Sequence, residues 1–178
     1  CNVDGGYWGR DHGNDEGIPP DSFRRTAMGV YPAGGRFDGD EFANTGLGLG
    51  AGGAGVTPIM LASWVDLMRA EVAMASNNTG AAGTFLQSAL TKSVAKVLSF
   101  GSIDPTANAT FFPSTSDVNA HKAAVAAAFN SANTTDKWNI LANQTFVAYY
   151  GNGINTYNFY RRTGYPTTLQ FNIEPSSG

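Results

Sequence analysis

Residues 9–17, GRDHGNDEG, crowd Asp11, His12, Asn14, Asp15 and Glu16 into one stretch. Side chains of these types can hold a cation through oxygen ligands, supply paired carboxylates for glycoside hydrolysis, or hydrogen-bond a polar ligand. Calcium needs about six to eight oxygens, and the EF-hand order of ligands fails here. Gly13 stands where a second ligand belongs, and Glu16 stands where the turn glycine belongs. The segment therefore reads as a solvated turn. Calcium stays open without a clear motif, no metal ligand is assigned and no cofactor is expected. Glycoside hydrolysis needs two carboxylates roughly 5–10 Å apart across the sugar, a separation that neighbouring acids of one loop rarely supply. Tyr7 and Trp8 precede these acids, and an aromatic beside polar groups is a normal way to hold a sugar ring or a peptide. The competing reading folds both rings under as core. The candidate ligand-binding set is Tyr7, Trp8, Asp11, His12, Asn14 and Asp15.

Other chemistry has less support. His12 and His121 are the only histidines and Cys1 the only cysteine, so no internal disulfide and no cysteine-based zinc site can form. No Gly-x-Ser-x-Gly elbow occurs, and no catalytic residue is assigned. GLGLGAGGAG (46–55) has the glycine spacing of a dinucleotide loop. That loop needs a strand before it, and none is legible, so the run reads as a flexible connector. Asn77, Asn108, Asn133 and Asn143 begin glycosylation sequons, which chance supplies in a chain this rich in Asn and Thr.

The elements that would position these residues fall into two regions. The chain has 178 residues, 42% hydrophobic and only 14% charged, with a net charge of -3 and 22 glycines. This length can bury a core, and the charge excludes the basic stripe that nucleic acid requires. No apolar run is long enough to span a membrane as a helix. Residues 1–57 read as an irregular, ligand-facing loop region, because neither helical nor strand periodicity persists. Residues 58–178 read as a helical-hairpin region.

Thr57-Pro58 predicts a helix start, followed by Met60, Leu61, Trp64, Leu67, Met68 and Val72 at helical spacing. NNTG (77–80) breaks it. A second helix over about 81–99 is predicted to bury Phe85, Leu86, Ala89, Leu90, Val94, Val97 and Leu98, with Lys92 and Lys96 pointing outward. Two such helices with a short turn make an antiparallel hairpin. DVNAHKAAVAAAFNSA (117–132) predicts a third, alanine-based helix. NTTDKW (133–138) starts a fourth, with Trp138, Leu141, Thr145 and Tyr149 along one side. NGINTYNFYRR (152–162) predicts a last short helix closed by Gly164. Met60, Met68 and Met74 offer adaptable surface for a partner, although core filling is the better account for at least two of the three.

GRDHGNDEGIPPDSFRRTAMGVYPAGGRFDGDEF (9–42), PIMLASWVDLMRAEVAM (58–74), FLQSALTKSVAKVLSF (85–100) and YNFYRRTGYP (157–166) together resemble the SusD/RagB family of Bacteroidetes outer-membrane lipoproteins. The resemblance covers nearly the whole chain and preserves motif order. It implies a mainly α-helical fold of tetratricopeptide-like helix hairpins with long irregular loops. It further implies a nutrient-binding protein, not an enzyme, that takes an oligosaccharide or peptide and passes it to a SusC-like TonB-dependent outer-membrane transporter. The implied location is the extracellular face of the outer membrane, with a lipid anchor. Family members are much longer, so the chain is expected to be a C-terminal portion, with Cys1 internal and the acylated cysteine upstream. Two alternatives stay open: a helical-repeat scaffold with no small ligand, and a carboxylate-based glycan hydrolase.

Arg161 and Arg162 end the last predicted helix, where cations offset the helix dipole. An arginine fork also grips a carboxylate as lysine cannot. Both are read as a structural clamp onto an acidic loop, with Asp15 and Glu16 as the expected partners.

Overall fold

The structure, a computed structural model, describes residues 58–99 and 113–169, together with the backbone of residues 2–3 and 6–7. Those four backbone positions form a two-rung antiparallel ladder, β1 (Asn2–Val3) and β2 (Gly6–Tyr7), with Asn2 opposite Tyr7 and Val3 opposite Gly6. Asp4-Gly5 between them is a recognised hairpin dipeptide, a signal too short to register as strand periodicity.

The first helix, α1 (Ala62–Ala75), starts later than Thr57-Pro58 predicts. Its cap is Leu61, whose carbonyl accepts from the Trp64 and Val65 amides at 3.0 and 3.2 Å. Ile59 and Met60 are exposed ahead of it, so an earlier helical turn would have no core to face. The buried stripe is Ser63, Trp64, Asp66, Leu67, Ala70, Ala73 and Met74. Met60 and Val72, which share the apolar helical spacing, are exposed, while small alanines take the contact face. Of the three methionines, Met74 is buried, Met68 half-buried and Met60 exposed.

α1 ends in a Schellman turn built on asparagine. Asn77 takes the left-handed conformation at φ 56°, the Asn78 amide bonds the Ala73 carbonyl at 2.8 Å, and the Asn77 amide bonds that of Met74 at 3.0 Å. Asn78 then caps α2 (Thr79–Ser99), its Oδ1 accepting from the Ala81 amide at 3.1 Å. Ala82, Leu86, Ala89 and Leu90 face α1 and the later helices. Val97 and Leu98, predicted as buried, are exposed. Lys92, predicted to point outward, turns its ammonium back onto Asp66 of α1.

Helix α3 (Thr115–Ser131) opens on a capping box. Ser114 Oγ accepts from the Asp117 amide at 3.2 Å, and Asp117 accepts from the Ser114 amide at 2.9 Å. Its alanines hold the helix by propensity, and only Val125 and Phe129 are buried. Phe129 seats against Gly83 of α2, where an added Cβ would stand 3.4 Å from the ring. Helix α4 (Thr134–Ala148) is capped by Asn133 and buries Leu141, Ala142 and Thr145, with Tyr149 just beyond. Trp138, half-buried, stacks on Tyr165 at 5.6 Å between ring centres. Helix α5 (Gly153–Thr163) is capped by Asn152 and ends at Gly164, φ 73°, as the sequence predicts.

The described chain is thus mainly α. The α1–α2 hairpin packs against α4 through both of its helices, α3 lies on α2 and α4, and α5 lies on α4. Their shared core centres on Trp64, Leu67, Leu86, Phe129, Leu141 and Phe159.

Candidate functional site

Of the predicted ligand-binding residues, only Tyr7 is reached by the structure, through its backbone in β2. Trp8, Asp11, His12, Asn14 and Asp15 lie outside the described residues, as does Glu16. Among the described residues, no group of His, Cys, Asp and Glu is placed to hold a metal ion.

The adjacent arginines have separate roles. Arg162 makes a two-point ion pair with Glu71 on α1, Nε to Oε1 at 2.8 Å and Nη2 to Oε2 at 2.9 Å. The partner expected from sequence was the acidic loop around Asp15 and Glu16. Glu71 was not anticipated, and Asp15 and Glu16 lie outside the described residues. The carboxylate's hydrogen bonds raise the Arg162 pKa further above its already high ordinary value. Tyr149 lies nearby and almost fully buried; burial, reinforced by the Glu71 charge, pushes its phenol up to about 12. Arg161 turns elsewhere, its guanidinium 5.9 Å from the centre of the Tyr157 ring. One arginine joins two helices, and the other covers an aromatic face.

A second polar cluster sits inside the first hairpin. Asp66 is buried on α1 and accepts from Ser88 Oγ at 2.7 Å, from Lys92 Nζ and from Arg69 Nη1 at 3.2 Å. The Lys92 and Ser88 hydrogen bonds hold the Asp66 carboxyl below its ordinary value, against the opposing effect of burial. Arg69 meanwhile lays its guanidinium 4.0 Å from the Phe85 ring centre. This cluster fixes the register of α1 against α2. Ser88 and Lys92 reach Asp66 from α2 and Arg69 from α1 itself, so the carboxylate acts as a structural pin between the two helices. The sequence signal was available: an acid inside the apolar run SWVDLM, with Lys92 on the facing helix.

The core itself is joined across the fold by one directed bond. Trp64 Nε1 donates to the Ala148 carbonyl at 2.8 Å, and its ring meets Tyr149 edge-on at 5.1 Å. Two open clefts flank this frame. One, of about 560 Å³, runs along the outer side of the α1–α2 hairpin past Val65, Val72 and Phe85. The other, of about 300 Å³, lies at the α4–α5 corner and is lined mainly by tyrosines.

Stacked helix hairpins with the buried Asp66 carboxylate already paired define a helical scaffold. The family model for SusD-like proteins, described as Susd and RagB outer membrane lipoprotein, matches residues 54–178. The chain belongs to the SusD/RagB family, which places it among outer-membrane lipoproteins that serve as binding components. No curated protein and no solved structure matches it.

Proposed function

We propose that this protein is the nutrient-binding component of a SusC/SusD-type uptake complex. On this reading it is lipid-anchored at the extracellular face of the outer membrane. There it captures an oligosaccharide or a peptide and delivers it to a TonB-dependent transporter without cleaving it. The observation that carries this reading is the family match over residues 54–178, which includes all five helices described. The architecture supports it physically. The helices lock one another through Asp66, Glu71 and Arg162, giving a rigid frame on which irregular segments can present ligand groups at low entropic cost. The opening loop, with Tyr7, Trp8, Asp11, His12, Asn14 and Asp15, is the proposed ligand-facing surface.

Two measurements test the proposal. Native full-length protein purified from detergent-solubilised outer membranes should bring a TonB-dependent barrel with it. Incubation with oligosaccharides or peptides should give retention with unchanged ligand mass. Isolation as a stable barrel-free monomer under mild detergent would refute the partnership. Turnover abolished by changing Asp11 or Asp15 would establish the hydrolase alternative instead.

A further inference from the structure

A third cleft, of about 400 Å³, opens between α2 and α3. Gly80, Gly83, Thr84 and Gln87 line it from α2, at the spacing that puts residues on one helical face. Phe129 and Asn130 line it from α3. Gln87 carries an unmet demand: its Nε2 is buried and has no hydrogen-bond partner among the described residues. An amide donor left desolvated and unpaired is unfavourable, and folded proteins seldom keep one without a use for it. The walls around it are fixed. Phe129 seats on Gly83, where an added Cβ would stand 3.4 Å from the ring. Lys137 Nζ ties down the end of α3 by donating to the Asn130 carbonyl at 3.3 Å. At Gly80 an added Cβ would meet only Asn78 Oδ1, at 4.0 Å, so packing does not call for glycine there.

We propose that this cleft binds the main chain of an extended, internal stretch of polypeptide, with the Gln87 and Asn130 carboxamides pairing its N–H and C=O groups. A primary carboxamide carries the donor and acceptor of a peptide unit side by side. It can therefore pair with a peptide much as one strand pairs with the next. The two carboxamides come from facing helices. Asn130 Oδ1 lies 3.9 Å from where a Gly83 Cβ would stand, which sets that carboxamide over bare α2 backbone. Glycine at 80 and 83 lets a second backbone come close to α2. Gln87 Nε2 is turned inward, and swinging it outward breaks no hydrogen bond to a described residue. A ligand carbonyl thus gains a donor with no internal bond to displace, on walls already held in place. The Phe129 ring supplies an apolar side to the cleft. This site is separate from the opening loop, to which the nutrient-binding reading assigns ligand capture, and it does not rest on that reading.

The test is calorimetric titration of the full-length protein with end-blocked pentapeptides of two unrelated sequences, an alanine-serine and a valine-threonine alternation. Main-chain N-methylated and free-ended forms of each are titrated alongside. The expected result is saturable binding of both blocked sequences, within about threefold of each other and weakened at least tenfold by N-methylation. Gln87→Met removes the amide at similar length, and Gly80→Leu fills the cleft with a good helix former; each should weaken binding at least tenfold. Neither should lower the melting temperature, because one removes an unpaired buried donor and the other enters open space. Binding that survives N-methylation, or that follows only one sequence, overturns main-chain recognition. Tenfold preference for the free-ended peptides overturns the internal-stretch assignment. Binding indifferent to both variants overturns the cleft as its location, and a melting temperature lowered in Gln87→Met shows that the amide serves the fold instead. Failure of every peptide to bind overturns the proposal and leaves the nutrient-binding reading standing.

Discussion

Replacing Asp66 by alanine tests whether the first hairpin is pinned by charge. The carboxylate is buried and receives three donors, of which the Ser88 hydroxyl lies at 2.7 Å and the Arg69 guanidinium at 3.2 Å. Breaking a fully buried ion pair typically costs about 3–5 kcal/mol, because the remaining charge is stranded. Here the stranded cations are not buried: the Lys92 and Arg69 side chains are 45% and 57% exposed and can rehydrate. The expected loss is therefore lower, about 2–3 kcal/mol, made of lost charge-assisted hydrogen bonds plus a small cavity. Asp66→Asn keeps the shape but loses the charge and turns one acceptor oxygen into an NH2 donor, so it should cost about 1–2 kcal/mol. The pH dependence has a definite sign. Folding depresses the Asp66 pKa, so its contribution is fully present above the unfolded carboxylate range, near pH 4, and is lost as pH falls through the lower folded value. Urea unfolding of the full-length protein and both variants, at pH 7 and pH 3, measures this. The gap between wild type and Asp66→Asn should narrow on acidification. A gap under about 0.5 kcal/mol at pH 7, or one that widens at pH 3, would refute the pinning argument.

Three further outcomes are expected. A double-mutant cycle between Glu71→Gln and Arg162→Met should give a coupling of about 1 kcal/mol, above the usual surface pair because the contact is two-pointed and the Glu71 side chain only 16% exposed; additivity within error in a urea-denaturation cycle would show that the pair contributes nothing. Gly164→Ala should lower stability by about 1 kcal/mol in the same assay, since φ is 73° at the cap of α5; an unchanged midpoint would mean the cap relaxes freely. Ser114→Ala removes one half of the α3 capping box and should cost about 1 kcal/mol, read as faster amide exchange in the first turn of α3; unchanged exchange there would contradict the assigned cap.

How much of this was legible in the sequence depends on what kind of signal each element uses. The cap of α5 was readable because a left-handed C-terminus leaves a chemical mark, glycine, at one position. The buried side of α4 was readable because Leu141, Thr145 and Tyr149 recur at helical spacing. The start of α1 was not, because Thr57-Pro58 is a good local signal that tertiary packing overrides. Its buried face was not fully legible for a related reason. Hydrophobicity ranks Met60 and Val72 above Ala70 and Ala73, yet close approach of α1 and α2 selects small residues. The pairing of Arg162 with Glu71 was not foreseen, since a contact between residues 71 and 162 leaves no trace in local spacing. The tyrosine cleft was missed entirely. Its residues come from the end of one helix and the face of the next, and each looks like ordinary helix composition until the corner folds them together.

The route by which α1 is completed has a consequence in time. Its tryptophan bonds a carbonyl 84 residues downstream, and its glutamate meets an arginine 91 residues downstream. A ribosome delivers α1 and α2 well before either contact exists. Among the described residues, the nascent hairpin is held during that interval by its asparagine turn, its alanine seam and the Asp66 bonds. Any chain stopped short of residue 148 would display an indole N–H without its acceptor and an apolar face awaiting α4, the state that chaperones and proteases recognise. Among the described helices, α4 and α5 are the ones whose arrival completes the surroundings of α1.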